Sequence, residues 1–224
     1  MRANINYDND YRFEFLGQSL LLLPEHALLW TNKNILLISD IHLGKATHFR
    51  KSGIPIPSGI HDQDLIQLDK LLEKYAVEKL IFLGDLFHSM YNREWEIFDK
   101  WLATHSETEF HLILGNHDIL PLSIYTSSSI KVHKNTYVEN PFIFSHIPMK
   151  KEELDPDLYN IAGHIHPSIR LMGKGKQNIA LPCFYFGSYQ AVLPAFGVFT
   201  GKYPIIPSQT SRIFAVANNK IISI

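Results

Sequence analysis

Residues 36–57 read LLISDIHLGKATHFRKSGIPIP. An apolar run stops on an acid, Asp40, and a histidine follows two residues later, His42. Lys45, Arg50 and Lys51 come next, in a stretch broken by glycine and proline. A strand that looks buried thus ends on a carboxylate and an imidazole. Open α/β sheets place their ligands at the carboxyl ends of their strands. The stretch is therefore read as a strand that feeds a two-metal site, followed by a phosphate-facing loop.

The same grammar recurs along the chain. Asn34–Ser39 leads to Asp40, and Lys79–Leu83 leads to Gly84-Asp85-x-x-His88. Phe110–Leu114 leads to Gly115-Asn116-His117-Asp118. Phe142–Ser145 leads to His146, and Tyr159–Ala162 leads to Gly163-His164-x-His166. Short apolar runs of this kind fit strands buried on both faces. Between the first two, Leu65, Leu68, Leu71, Leu72 and Tyr75 recur at helical spacing. A second helix is expected around Asn92 to Thr104, with Trp95, Phe98, Trp101 and Leu102 on its core face. After His166 glycines, prolines and short apolar runs alternate, and Asn218 to Lys220 reads as a hairpin turn. The order βαβα, then mostly β, predicts a mixed α/β sandwich.

Composition bounds the reading. The 224 residues, 46% of them hydrophobic and 19% charged, predict a packed core in a single domain over 1–224. Lys and Arg number 21 against 22 Asp and Glu, a net charge of −1, so nucleic acid would have to be met by a local patch or by bound metal. The one cysteine, Cys183, excludes an internal disulfide framework and a cysteine-based zinc cluster, and is read as a buried inert thiol. The apolar stretch Leu20–Leu23 is far below the roughly 20 residues of a membrane span. Acids at Asp8, Asp10 and Glu14 argue against a signal peptide. The expectation is a cytoplasmic protein with no membrane partner.

The donor set has a chemistry. Two divalent ions about 3.5–4 Å apart clamp a phosphoryl centre for in-line displacement. A carboxylate bridging them shields one cation from the other. Imidazole with carboxylate oxygen suits manganese, iron, zinc or nickel, and the lack of thiolate argues against a soft metal. Water bridging the ions loses a proton near neutral pH and becomes the nucleophile. A histidine that is not a ligand can give the leaving alkoxide its proton. His26, His105, His111 and His133 match no motif and are read as structural. The aromatics Phe184, Tyr185 and Phe186 are read as core, and Tyr189 as a candidate for exposure.

The ordered set D-x-H, G-D-x-x-H, G-N-H-D, H, G-H-x-H, from Asp40 to His166, resembles that of the calcineurin-like metallophosphoesterases. The resemblance implies a four-layer α/β/β/α sandwich, two mixed sheets flanked by helices. It implies one ion held by Asp40, His42, Asp85 and His166. The other would be held by Asp85, Asn116, His146 and His164, with Asp85 bridging. His117 resembles the general acid, Asp118 a residue that orients it, and His88 a histidine that either supports the ligands from behind or contacts substrate. Ser145 stands where the family usually has glycine, and little consequence is expected. The stretches HLGKATHFRKSGIPIP and LPCFYFGSYQAVLPAFGVFTG resemble the ligase-associated DNA damage response endonucleases, the PdeM-type branch. That implies a metal-dependent phosphodiesterase, an endonuclease or nuclease acting on DNA in repair, with two divalent ions, manganese foremost. Association with a DNA ligase or helicase is implied by the branch alone. Arg50 and Lys45 are the candidates for binding substrate phosphate. The alternative is a phosphodiesterase or phosphatase for cyclic nucleotides or nucleotide derivatives.

Overall fold

The computed structural model describes residues 9–45, 60–87, 93–173, 178–197 and 200–224. Two mixed sheets pack face to face. The first has seven strands in chain order, β1 (Tyr11–Phe15), β2 (Gln18–Leu23), β3 (Ala27–Trp30), β4 (Ile35–Ile38), β5 (Lys79–Phe82), β6 (Glu109–Ile113) and β7 (Lys131–His133). Strands β1 to β4 form an antiparallel meander, and β4 to β7 run parallel. Helices α1 (Ile60–Tyr75), α2 (Arg93–Thr104) and α3 (Leu122–Thr126) belong to this half.

The second sheet contains β8 (Thr136–Glu139), β9 (Phe142–Ser145), β10 (Tyr159–Ala162), β11 (Pro167–Met172), β12 (Asn178–Phe186) and β13 (Gln190–Val192). The short β14 (Tyr203–Pro204) extends one edge, while β15 (Arg212–Ala217) pairs with β12 and β16 (Lys220–Ser223). Strands β9, β10 and β13 are mutually parallel in the order β9-β10-β13. The turn between β15 and β16 is the expected hairpin, with Asn218 and Asn219 both at positive φ.

Side-chain alternation explains why the central strands read as unbroken apolar runs. Successive residues of a strand face opposite sides. Leu36 and Ile38 of β4, Leu80 and Phe82 of β5, and Phe110 and Leu112 of β6 face a core shared with α1, α2 and α3. Their neighbours Ile35, Leu37, Ile81, Leu83 and Ile113 face the other sheet, against Phe142, Phe144, Ile161, Phe184 and Phe186. Each strand must therefore be apolar on both faces. The same rule makes β3 and the Leu20–Leu23 part of β2 apolar and buried throughout. Their run LLLLPEHALLW is read from sequence only as too short for a membrane, yet it forms half of the meander.

Trp95, Phe98, Trp101 and Leu102 all lie in the helix-side core, as their spacing predicts. On the outer face of the second sheet the described residues place no α-helix. A small cluster of Ile169, Cys183, Ile213 and Ala215 lies there. Cys183 is fully buried, and burial pushes its thiol up to about 12, as expected of an inert cysteine. No helix among the described residues is long and apolar enough to cross a membrane.

Strand register puts the functional edge in one place. Ile38 pairs with Phe82, and Phe82 with Leu112. Ser145 pairs with Ala162, and Ala162 with Val192. The loops that carry the motifs leave these aligned strand ends together.

The opposite end of the sandwich is tied by charge. Glu139 of β8 accepts hydrogen bonds from Lys33, from Lys79 at 3.2 Å and from Tyr137 at 2.9 Å. Lys33 and Lys79 belong to the first sheet, so the cluster links the two layers. The Lys33 hydrogen bond, then those of Tyr137 and Lys79, hold the Glu139 carboxyl down at about 2 against the opposing effect of burial. A depressed folded-state value contributes stability above the unfolded value and loses it as pH falls towards the folded one. The urea midpoint of the wild type is expected to fall between about pH 5 and about pH 3, and that of Glu139→Gln to fall less.

Candidate metal centre

Ligand-type residues gather at the carboxyl ends of β4, β5, β6, β9 and β10. The backbone stitches these ends to one another. Asp40 N donates to Gly84 O at 3.2 Å, and His42 N to Asp85 O at 2.9 Å. Gly163 N donates to His146 O at 3.0 Å. Asp40, His42, Asp85, His164 and His166 all adopt positive φ, between 51° and 68°. Such conformations cost of order 1–3 kcal/mol each in a non-glycine residue and persist where the surroundings over-determine them. Here successive side chains turn back towards one centre.

Two clusters result. Asp40, His42 and His166 offer ligand atoms within 4.8 Å of one another, and so do Asp85, His146 and His164. Asp85 lies between them: its Oδ2 is 3.9 Å from His42 Nε2, and its Oδ1 is 3.5 Å from His146 Nε2. Asn116 Oδ1 stands 3.0 Å from His146 Nε2. These are the seven residues singled out as metal ligands in the sequence, and all seven converge.

The donor chemistry fits cations. His146 Nδ1 is 2.8 Å from the Leu83 carbonyl, which can only accept, so the neutral ring carries its proton there. Its Nε2 then presents a lone pair to two further lone-pair atoms, Asn116 Oδ1 and Asp85 Oδ1, and stands 3.0 Å from His164 Nδ1. His166 repeats the pattern. Its Nδ1 faces the Gly201 carbonyl at 3.2 Å, which leaves Nε2 as an acceptor 3.2 Å from Asp40 Oδ1. Asp40 Oδ1 is buried without an aligned hydrogen bond. Acceptors facing acceptors in a buried site need a positive charge between them.

Electrostatics agree. Burial opposes ionisation of Asp40, yet the His166 ring facing it, the His146 ring and the Ser39 hydroxyl hold its carboxyl below the ordinary range. His164 is lowered by burial and then by His146. Lys45 is half-buried within reach of both acids: burial lowers its ammonium, while Asp85 and Asp40 oppose that. It therefore stands beside the centre, as expected. Arg50 and His88 lie outside the described residues.

His117 is partly exposed, and its ring centroid is 5.4 Å from that of His42. Its backbone N donates to Asp85 Oδ1 at 2.9 Å. Asp118 braces the loops that flank it. One carboxylate oxygen accepts from Leu86 N at 2.9 Å and Phe87 N at 3.1 Å, and the other from Gly115 N at 2.8 Å. Burial pushes its carboxyl up to about 6, although the Gly115 and Phe87 amides oppose this. The hydrogen bonds of Asp118 thus act on the backbone turn that carries His117.

Sequence reasoning missed several supports. Ser145, expected to matter little, is buried and bonded on both sides: Asn160 Nδ2 donates to its Oγ at 2.9 Å, and that hydroxyl donates to Ile147 O at 2.8 Å. This chain spans the turn at His146. Phe196 N donates to Ser39 O at 2.8 Å, so the LPAFG segment closes onto the end of β4. Residue type alone signals none of these, because they act through the backbone. Of the aromatics, Phe184 and Phe186 are core, while Tyr189 is half-buried and lines a separate cleft with Tyr159 and Asp155.

The calcineurin-like phosphoesterase model matches residues 33–183. Among solved structures, the chain is similar to Pseudomonas putida nuclease MPE at 29% identity, covering 96% of this chain and 100% of that one, with a TM-score of 0.77. It also resembles Yfce, a phosphoesterase from E. coli, at 12% identity over 84% of this chain and 96% of that one, with a TM-score of 0.45. No curated protein matches. The chain belongs to the calcineurin-like phosphoesterases and is a metal-dependent phosphoester hydrolase. The likeness to the nuclease is consistent with the PdeM-type branch. With the two clusters, family membership makes this a dinuclear divalent-metal centre.

A Cβ on Gly115 would overlap the backbone N and the carboxylate of Asp85. Gly115→Ala is expected to displace Asp85 and to lower the metal bound per chain, read by elemental analysis, while the circular dichroism spectrum stays folded.

Proposed function

We propose that this phosphoesterase is a phosphodiesterase acting on nucleic acid, a DNA nuclease in repair, loaded in the cell with manganese. The observation that carries the reading is a pair of adjacent ligand clusters, with Asp85 of one 3.9 Å from His42 of the other and His117, outside both, beside them. A similar architecture at 29% identity belongs to a nuclease. Residues 1–224 are read as one domain working in the cytoplasm, and the repair setting rests on the branch resemblance.

In this reading Asp40, His42, Asp85 and His166 hold one ion, and Asp85, Asn116, His146 and His164 the other. When bound, the ions supply Lewis acidity and an activated water for attack at phosphorus. Leu83 O and Gly201 O hold His146 and His166 in the tautomers that present Nε2 to the centre. His117 holds the proton that the leaving oxygen takes. Asp118 positions it through the Gly115 turn. Lys45 meets the phosphate as a point charge, and Arg50 and His88 complete the substrate contacts.

A small-molecule diester, cyclic nucleotide or nucleotide derivative, is the second reading, favoured by the net charge of −1. The test uses protein stripped of metal and resupplied with manganese, with Asp85→Ala as control. Bis-p-nitrophenyl phosphate, p-nitrophenyl phosphate and labelled single-stranded DNA are assayed together. Cleavage of the diester and the DNA, lost in the control, is expected. Turnover of the small diester with intact DNA would establish the second reading instead. His117→Ala is expected to keep its metal and lose about 10²–10⁴-fold in kcat; an unchanged kcat would remove His117 from its role.

A further inference from the structure

The loops that carry the ligands also carry an apolar surface. A cleft of ≈ 390 Å³ lies against the turn His164–Pro167, and its lining includes Pro148, Ile165, Tyr185, Tyr203 and Ile206. Among the described residues, no charged side chain lines it. Ile165 stands between the ligands His164 and His166, and Pro148 is two residues past His146. Consecutive Cα atoms are about 3.8 Å apart, so the cleft begins one residue from two metal ligands. His164, Ile165 and His166 are all half-buried, so this turn meets solvent. A ligand can therefore lie across it on the surface, from the centre to the cleft.

The wall of the cleft is presented to solvent on a fixed backbone. Strand β14 runs parallel to β11, with Tyr203 opposite Pro167. Tyr203 N donates to His166 O at 2.9 Å, and Ile205 N to Ser168 O at 2.9 Å. The backbone of Tyr203 is thus bonded directly to that of a metal ligand. Yet Tyr203 is 63% exposed and Ile206 92% exposed. Ile147, which directly follows His146, is 56% exposed as well. Single apolar residues on a surface carry no message, but several gathered beside a cleft mark a binding site. The chemistry of the occupant follows from the position. A phosphate at the centre needs cations, and the cleft has no lysine or arginine to offer one. The base next to that phosphate is uncharged, flat and apolar on both faces. An exposed tyrosine among aliphatic side chains takes such a face by stacking.

We infer that this cleft takes the nucleobase on one side of the scissile diester, with Tyr203 as its stacking platform. The inference rests on the phosphodiesterase reading above. It holds for a nucleic acid and for a nucleotide diester alike, because both carry a base beside the attacked phosphorus. Stacking is tolerant of sequence, since every base has a π-face, so the cleft adds affinity with little preference among bases. The metal centre holds the phosphate, and Tyr203 sets which way the chain leaves it.

The experiment uses the manganese-loaded wild type, Tyr203→Ala and Tyr203→Phe. The substrates are the p-nitrophenyl diesters of thymidine 5′-monophosphate and of thymidine 3′-monophosphate, with matched diesters in which hydrogen replaces the base. On one of the two sides, loss of the base is expected to raise the wild-type KM about tenfold. Tyr203→Ala is expected to raise KM for that thymidine diester by a similar factor, with kcat kept and the base-free diester unaffected. Tyr203→Phe, which retains the ring, is expected to match the wild type. Equal KM values in wild type and Tyr203→Ala on both sides overturn the inference and leave the phosphodiesterase reading standing. An equal rise for the base-free diester also overturns it. So does a shift from dimer to monomer in sedimentation of Tyr203→Ala with KM unchanged, which would give the cleft to a second copy of the chain. If no diester is cleaved, the phosphodiesterase reading falls, and calorimetric binding of a single-stranded oligothymidylate decides the cleft separately. Weaker binding by Tyr203→Ala, restored in Tyr203→Phe, supports it; equal or absent binding overturns it.

Discussion

Asp40 is the point at which the two halves of the sandwich meet. Its backbone N binds the Gly84 carbonyl of the first sheet, and its carbonyl accepts from Gly197 N, which follows β13 of the second. Its carboxylate accepts from His164 N at 2.9 Å, on the loop after β10. One fully buried residue therefore couples three loops from two sheets. A buried carboxylate is costly unless it is bonded on every side. Ser39 and the His164 amide satisfy one of its oxygens, Oδ2. A cation between Asp40 Oδ1 and His166 Nε2 would meet the rest.

The ligand set is held by backbone geometry as much as by side chains. Five of its members adopt left-handed conformations that non-glycine residues usually avoid. That strain is supported by the stitched strand ends below and by a layer of carbonyl and amide contacts around the site. Leu83 O and Gly201 O fix imidazole tautomers, Asp118 clamps two loops, and Asn160 with Ser145 spans the His146 turn. Such supports set ligand orientation and basicity, and so belong to the working site. Ser145 shows why a small residue need not be a passive one.

The pair of cavities and clusters around His164–Pro167 gives this edge a direction. His164 and His166 face the metal centre, while His166 and Pro167 also wall the cavity that holds Glu25 and His26. His26, which matched no motif, acquires its place only because the β2–β3 turn comes up against Ala195 of the LPAFG segment.

The gathering of Asp, Asn and His motifs at one edge was legible in the sequence, because each motif follows an apolar run and such runs form strands whose ends align; the division of those residues between two ions came from the family resemblance. Both long helices were legible from periodicity, and the Asn218–Asn219 hairpin from the tolerance of asparagine for positive φ. Strands β2 and β3 of the meander were not. Their run from Leu20 to Trp30 lacks alternation, since both faces are buried, and a pattern of period two appears only where one face meets water. Tertiary structure alone decided that Asp118 braces backbone and that Gly201 and Ala195 orient histidines. Those contacts join residues far apart in the chain, through backbone atoms that every residue possesses. A sequence specifies side chains, and it carries no mark for a carbonyl that folding brings to an imidazole.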